Sequence, residues 1–227
     1  MEHIKEAIAN TKKSTSVPQN LNVEPDKKIW NNANNQQQVA LDSREILRRN
    51  LNVSTLDNTF DNFKKKEGTE KSLELFKLYA EGMLGTPFLV CIGDYGCGKT
   101  HLMEALVIKR HELGYFCRVT KFNKFIENLK KSVGSQEFPT YDQILSSHCT
   151  GKILVMDDIG MGIKETSWLT SVLETLIDSR YYNRLETVLT MNKEAWASLP
   201  QRVVSRLCDG EVCTIVENNG KDYRKTK

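Results

Sequence analysis

The stretch Gly93-Asp-Tyr-Gly-Cys-Gly-Lys-Thr100 sets the reading of this chain. It meets the pattern G-x-x-x-x-G-K-[ST] at every fixed position. Just before it, Phe88–Ile92 is an all-apolar run that suits a strand buried on both faces. Just after it, Thr100–Leu113 reads as a helix. A strand running into a glycine loop and then a helix is the context in which such a loop grips phosphate. Gly93, Gly96 and Gly98 let the backbone curl so that N–H groups face inward, and the helix start adds positive potential. Lys99 offers a cation to the β- and γ-phosphates, and Thr100 a hydroxyl to Mg²⁺. The expected ligand is ATP with Mg²⁺, with Asp94, Tyr95, Cys97 and His101 completing the contact set.

Outward from the loop, strands and helices alternate. Helical spacing covers Glu70–Leu84, with Leu73, Leu75, Phe76, Leu78, Tyr79 and Met83 on an apolar stripe, until Gly85-Thr-Pro breaks it. Beyond the loop we expect strands at Tyr115–Thr120, Ile153–Asp157, Thr187–Met191 and Glu211–Val216. Helices are expected at Lys121–Lys131, Tyr141–His148, Glu165–Tyr182 and Ser198–Leu207. Such alternation predicts an α/β fold, a parallel sheet covered by helices on both faces. Residues 1–55 read differently. They hold Asn31–Gln38 (NNANNQQQ), a lone Trp30 that either anchors a partner or packs locally, and one helix over about Asp42–Asn50. The expected division is a flexible arm over 1–55 and an ATPase domain over 56–227.

Three further signals carry chemistry. Ile153-Leu-Val-Met-Asp157-Asp158 is an apolar strand with acids at its C-terminal end, where open α/β sheets bind ligands. Asp157 is placed to hold Mg²⁺ and Asp158 to orient or deprotonate the attacking water. Thr187-Val-Leu-Thr-Met-Asn192 ends a strand in an amide, either a γ-phosphate contact or a turn-forming Asn. Arg202 and Arg206 lie four apart on a helix, as fingers toward a neighbouring subunit's nucleotide or as solvated arginines.

These features occur in one order: the P-loop running into His101-Leu102, the double-acid strand followed by Ile159-Gly160, the Thr-Met-Asn strand end, and Arg202-Val-Val-Ser-Arg206-Leu. Together they resemble the AAA+ ATPases of the bacterial replicative helicase loaders, the DnaC/DnaI type, from about Leu56 to the C-terminus. The same core is shared by the IstB transposition helpers and, more distantly, by the DnaA initiator. Thr59-Phe-Asp-Asn-Phe63 resembles the short motif that precedes this core. The resemblance implies a five-stranded parallel AAA+ sheet of order 5-1-4-3-2 with little or no helical lid. It implies Walker A at Lys99 and Thr100, Walker B at Asp157 and Asp158, sensor 1 at Asn192, and an arginine finger at Arg206 acting in trans, with Arg202 one turn earlier. Tyr223-Arg224 resembles the C-terminal Tyr-Arg of these proteins, near the nucleotide or the subunit interface. The implied partners are a hexameric replicative helicase, single-stranded DNA and further copies of the chain. Asp158 stands where the family usually has Glu, which implies slow hydrolysis or an ATP-gated adaptor with little turnover. The short arm, without the cysteine/histidine spacing of zinc-bearing loader domains, suits a phage or mobile-element version; an IstB-like transposition helper is the alternative.

Composition fits this reading. The chain has 227 residues, 39% of them hydrophobic, enough for one core domain and an appendage. A net charge of +3 permits nucleic-acid contact without arguing for it. Six cysteines at positions 91, 97, 117, 149, 208 and 213 lack zinc-site spacing and read as reduced, core-packed thiols. The N-terminal MEHIKEAIAN has no signal-peptide core and no apolar run reaches membrane length, so a cytoplasmic protein is expected. Around Phe122, Phe125, Ile126 and Leu129, a core face, Lys121, Lys124, Lys130 and Lys131 form a basic rim, as do Lys64–Lys66; each is a DNA contact or a solvated charge.

Overall fold

The computed structural model describes residues 27–134, 138–160 and 166–225, with side chains from 39 to 224. In chain order the elements are α1 (Lys27–Leu51), α2 (Glu70–Ala80), β1 (Phe88–Gly93), α3 (Lys99–Glu112), β2 (Val119–Lys121), α4 (Phe122–Ser132), α5 (Tyr141–Thr150), β3 (Ile153–Ile159), α6 (Ser167–Tyr182), β4 (Glu186–Met191), α7 (Lys193–Ala197), α8 (Gln201–Leu207) and β5 (Cys213–Asn218), then a single 3-10 turn at Tyr223–Lys225. The chain divides into two compact units, Met1–Ser43 and Arg44–Lys227.

In the first unit the described residues belong to α1. Asn31–Gln38 lies within that helix rather than in irregular chain, because neither Gly nor Pro interrupts Lys27–Leu51. Val39 and Leu41 are exposed. The Trp30 side chain lies outside the described residues.

The second unit begins at Arg44, ahead of the boundary expected at Leu56. Leu51 and Val53 are buried, Asn52 Nδ2 donates to Val119 O, and the amide and hydroxyl of Ser54 both donate to the Glu104 carboxylate. Burial of this kind fixes the segment to the domain that follows.

All five strands run parallel in the order β2-β3-β4-β1-β5, the expected 5-1-4-3-2 read from the other edge. Alternate residues of each inner strand face opposite layers. Phe88, Val90 and Ile92 of β1, with Leu154, Met156, Leu189 and Met191, pack under α4, α6 and α8. Leu89 and Cys91, with Val155, Val188 and Val216, pack under α2 and α3. Strands covered on both faces must be apolar throughout, hence the continuous runs in the sequence.

Several boundaries differ from the periodicity for local reasons. Helix α2 stops at Ala80, before Gly82 takes φ +74°, so Met83 is exposed rather than on the stripe. β2 covers only Val119–Lys121, leaving Tyr115 and Phe116 exposed before it. Ser198–Leu207 is not one helix: α7 ends at Ala197 and α8 starts after Pro200, which cannot sit inside a helix. α6 starts at Ser167, and Glu165 lies outside the described residues.

A buried guanidinium ties the upper layer to the sheet. Arg180, fully buried, donates to the Thr187 hydroxyl at 2.8 Å and to the carbonyls of His148, Gly151 and Glu186 at 2.8, 2.8 and 2.6 Å. Its charge is met by oriented dipoles from α5, β4 and the turn before β3.

Candidate functional site

β1 delivers the chain to the C-terminal edge of the sheet, where the glycine loop turns into α3. Gly96 and Gly98 take φ +73° and +97°, a left-handed backbone that side chains disfavour. A Cβ on Gly96 would also lie 1.9 Å from Asp222 Oδ1, and one on Gly98 2.9 Å from the Phe63 ring. Gly93 differs from the expectation: it ends β1 and is needed for close approach to Asn218 of β5, not for the curl.

The functional candidates converge here. Lys99 is buried, and its Nζ donates to Gly93 O at 2.7 Å and Asp94 O at 2.8 Å, curling over the loop it must serve. Thr100 Oγ1 donates to Asp157 Oδ2 at 3.1 Å. Asp157 is fully buried, its Oδ1 accepts from Thr190 Oγ1, and its Oδ2 also accepts from Lys121 Nζ. Lys121 was expected on the basic rim, as a DNA contact or a solvated charge. It instead pairs in register with Asp157 across β2 and β3, so its ammonium turns to that carboxylate beside Thr100.

Asp158 shares the cleft with Thr100 by a device absent from the pattern. Successive strand residues point to opposite faces, which would send Asp158 away from Asp157's side. The register shifts between Met156 and Ile159, Asp158 takes φ +57°, and its amide donates to Thr190 Oγ1 at 3.1 Å. This irregularity re-aims the side chain, as bulges next to sites do. Burial first, and the charge of Asp157 second, push the Asp158 carboxyl above the usual carboxylate range.

Asn192 caps a helix and also faces the glycine loop. Its Oδ1 accepts from Ala195 N at 2.6 Å to cap α7, while its Nδ2 donates to Tyr95 OH at 2.7 Å. It thus reaches the phosphate loop through a tyrosine. Arg206 lies outside the cleft, on α8: its Nε donates to Asp178 Oδ1 at 3.3 Å and its Nη2 to Tyr182 OH at 2.8 Å. Arg202 pairs with the other oxygen of Asp178 at 2.5 Å. Of the remaining rim lysines, Lys124 and Lys131 both pair with Glu127, and Lys130 lies over the Trp168 ring.

A cavity of about 440 Å³ opens beside the loop, within the range of small-ligand pockets. Its walls include Asn58, which motif reading left without a role, together with Asn62 and Lys64. Phe63 stacks edge-on against His101, with centroids 5.1 Å apart, and meets Tyr223 at 6.0 Å. His101 Nε2 lies 2.8 Å from Thr59 O. Tyr223 N donates to Gly96 O at 3.0 Å, and Tyr223 OH donates to Lys64 O. The Thr59–Phe63 and Tyr223-Arg224 segments, far apart in sequence, therefore form one wall, and Arg224 lines the cavity as well.

The donors fit a magnesium nucleotide. The loop is closed to any side chain at Gly96, and a threonine hydroxyl and a buried carboxylate, both hard oxygen donors, share a bond at its end. Among the described residues no group of three or more His, Cys, Asp or Glu could hold a metal alone. Magnesium held through one carboxylate, a hydroxyl and substrate phosphates needs no such cage. Among the described residues, also, no helix is long and apolar enough to cross a membrane.

Comparison with known proteins agrees with this geometry. The family model "IstB-like ATP binding protein" matches residues 85–227. The replicative helicase loader DnaI of Bacillus subtilis is 30% identical over 105 residues, covering 46% of this chain and 32% of that protein. The chromosomal replication initiator DnaA of Lactobacillus helveticus is 28% identical over 162 residues, covering 67% of this chain and 34% of that protein. The chain thus spans about a third of the length of these relatives. Among solved structures, the DnaC helicase loader superposes with a TM-score of 0.60 at 21% identity, over 71% of this chain and 96% of that one. AMPPCP-bound DnaA from Aquifex aeolicus gives a TM-score of 0.60 at 21% identity, over 72% and 50%. At such identities the structures speak to the fold, which is the P-loop AAA+ core. Because the family model spans more than half of its length, the chain belongs to the IstB-like ATP-binding proteins.

Proposed function

We propose that the chain is an ATPase that loads a hexameric replicative helicase onto single-stranded DNA, of a phage or mobile-element type. The observation that carries the loader reading is the 30% identity with DnaI, since a P-loop cleft alone is common to many ATPases. The fold similarity to the DnaC loader is consistent with it.

In this reading Lys99 and the loop amides bind the phosphates, and Thr100 and Asp157 hold Mg²⁺. When bound, Mg²⁺ would neutralise the phosphate charge that builds up during transfer. Asp158 accepts a proton from the attacking water, and the burial that raises its pKa makes it a stronger base than an exposed carboxylate. Asn192, steadied by Tyr95, orients the same water or the γ-phosphate. Arg206 leaves Asp178 to reach a neighbouring copy's nucleotide, so that subunits assemble when ATP is present. Lys124, Lys130 and Lys131 border single-stranded DNA, where they meet phosphates electrostatically.

The test is deposition of a purified replicative hexamer on circular single-stranded DNA, with ATP and with Lys99→Ala beside the parent. Loading by the parent and none by the variant is expected; no loading by either sinks the proposal. The family match favours a second reading, a transposition helper. ATP-dependent co-purification with a transposase in place of a helicase would select it.

A further inference from the structure

Lys121 is the last residue of β2, and parallel pairing places it opposite Asp157. Its ammonium rests on Asp157 Oδ2, the oxygen that also accepts the Thr100 hydroxyl. The other carboxylate oxygen is taken by Thr190. Every donor that Asp157 needs is therefore supplied by the chain itself, and one of them is a full positive charge.

The two partners differ in freedom. Asp157 is wholly buried, whereas the Lys121 side chain is 39% exposed. The lysine can swing outward and the carboxylate cannot. Lys99 is the ammonium of the loop itself, but it is buried and held by two loop carbonyls. A divalent cation beside Thr100 and Asp157 would meet Lys121 as a like charge only a few ångströms away, in a poorly screened site. A triphosphate arriving with the metal changes that balance, because its oxygens offer the ammonium a new partner.

We infer that Lys121 is a built-in stand-in for the metal: it neutralises Asp157 until a metal–nucleotide arrives, then passes the carboxylate over and turns to the phosphates. The cleft then rejects divalent ions alone and accepts them with nucleotide. This inference rests on the cleft being the ATP–Mg²⁺ site proposed above.

The test uses the full chain and two readouts. The first is Mn²⁺ binding without nucleotide, followed by electron paramagnetic resonance. Removing one charge-assisted hydrogen bond that competes with the metal predicts Mn²⁺ binding at least about tenfold tighter in Lys121→Met. Lys109→Met, which removes a charge from the exposed pair with Glu112, should match the parent. Lys121→Arg, which keeps the charge, should also match it. The second readout is the Mg²⁺ concentration needed for half-maximal binding of fluorescent AMPPCP, expected to fall in Lys121→Met. If Lys121→Met is unfolded by circular dichroism, Lys121→Gln carries the same comparison. Equal Mn²⁺ affinities in parent and variant, including no binding in either, overturn the inference. A parent that binds no AMPPCP at any Mg²⁺ concentration overturns the ATP reading instead, while the Mn²⁺ comparison still decides Lys121.

Discussion

Asp158→Asn is the substitution most diagnostic of the proposed chemistry. Asn is close to isosteric and, with Asp and Gly, among the residues that tolerate the left-handed backbone at φ +57°. The backbone bond from its amide to Thr190 Oγ1 is kept, so folding and nucleotide binding should be unchanged. What disappears is the proton acceptor. A positioned general base is typically worth about 10²–10⁴-fold, so turnover should fall at least about 100-fold. The pH profile gives a second, independent mark. A base must be deprotonated to act, and burial beside Asp157 raises the pKa of Asp158. Turnover of the parent should therefore fall as pH drops through a value above the usual carboxylate range, and the variant should lack that limb. The assay is phosphate release with single-stranded DNA across pH, beside AMPPCP binding. Turnover within about threefold of the parent, with the acid limb intact, would refute the role given to Asp158.

Asp158→Glu, the residue more usual in the family, should cost about 1 kcal/mol of stability by urea unfolding, because Glu lacks Asp's tolerance of this backbone. Arg180→Ala removes the donor shared by four buried acceptors and opens a cavity; a loss of at least about 3 kcal/mol is expected by urea unfolding, whereas a loss under 1 would show that water replaces the guanidinium. Gly96→Ala drives a Cβ into Asp222 and should abolish AMPPCP binding by fluorescence while the far-ultraviolet circular dichroism stays the same. Arg206→Ala should leave AMPPCP binding by an isolated chain intact but remove ATP-dependent assembly in analytical ultracentrifugation, if the finger acts in trans.

The sequence spoke clearly where one residue type had one physical reason to be there. Continuous apolar runs marked strands buried on both faces, and Gly96, Gly98, Lys99 and Thr100 left no other arrangement for the loop. Asp157 was legible because an acid ending such a run has only the ligand edge to face. Lys121 was not, because its target is set by a parallel register with β3, and nothing local distinguishes it from Lys124. The re-aiming of Asp158 needed a backbone irregularity that no side-chain pattern encodes. The cleft wall built by Phe63 and Tyr223 joins segments that only the fold brings together, although their resemblance to family motifs had singled them out. Helix α1 was underestimated because Asn-rich composition suggests irregular chain, whereas the lack of Gly and Pro lets the helix run on.

ATP turnover by the purified chain, alone and with single-stranded DNA, beside Lys99→Ala, decides whether the cleft is an ATPase. Slow turnover that DNA stimulates and that the variant lacks is expected. ATP binding with no turnover under either condition would contradict the ATPase reading, and would make the chain a nucleotide-gated adaptor rather than an ATPase.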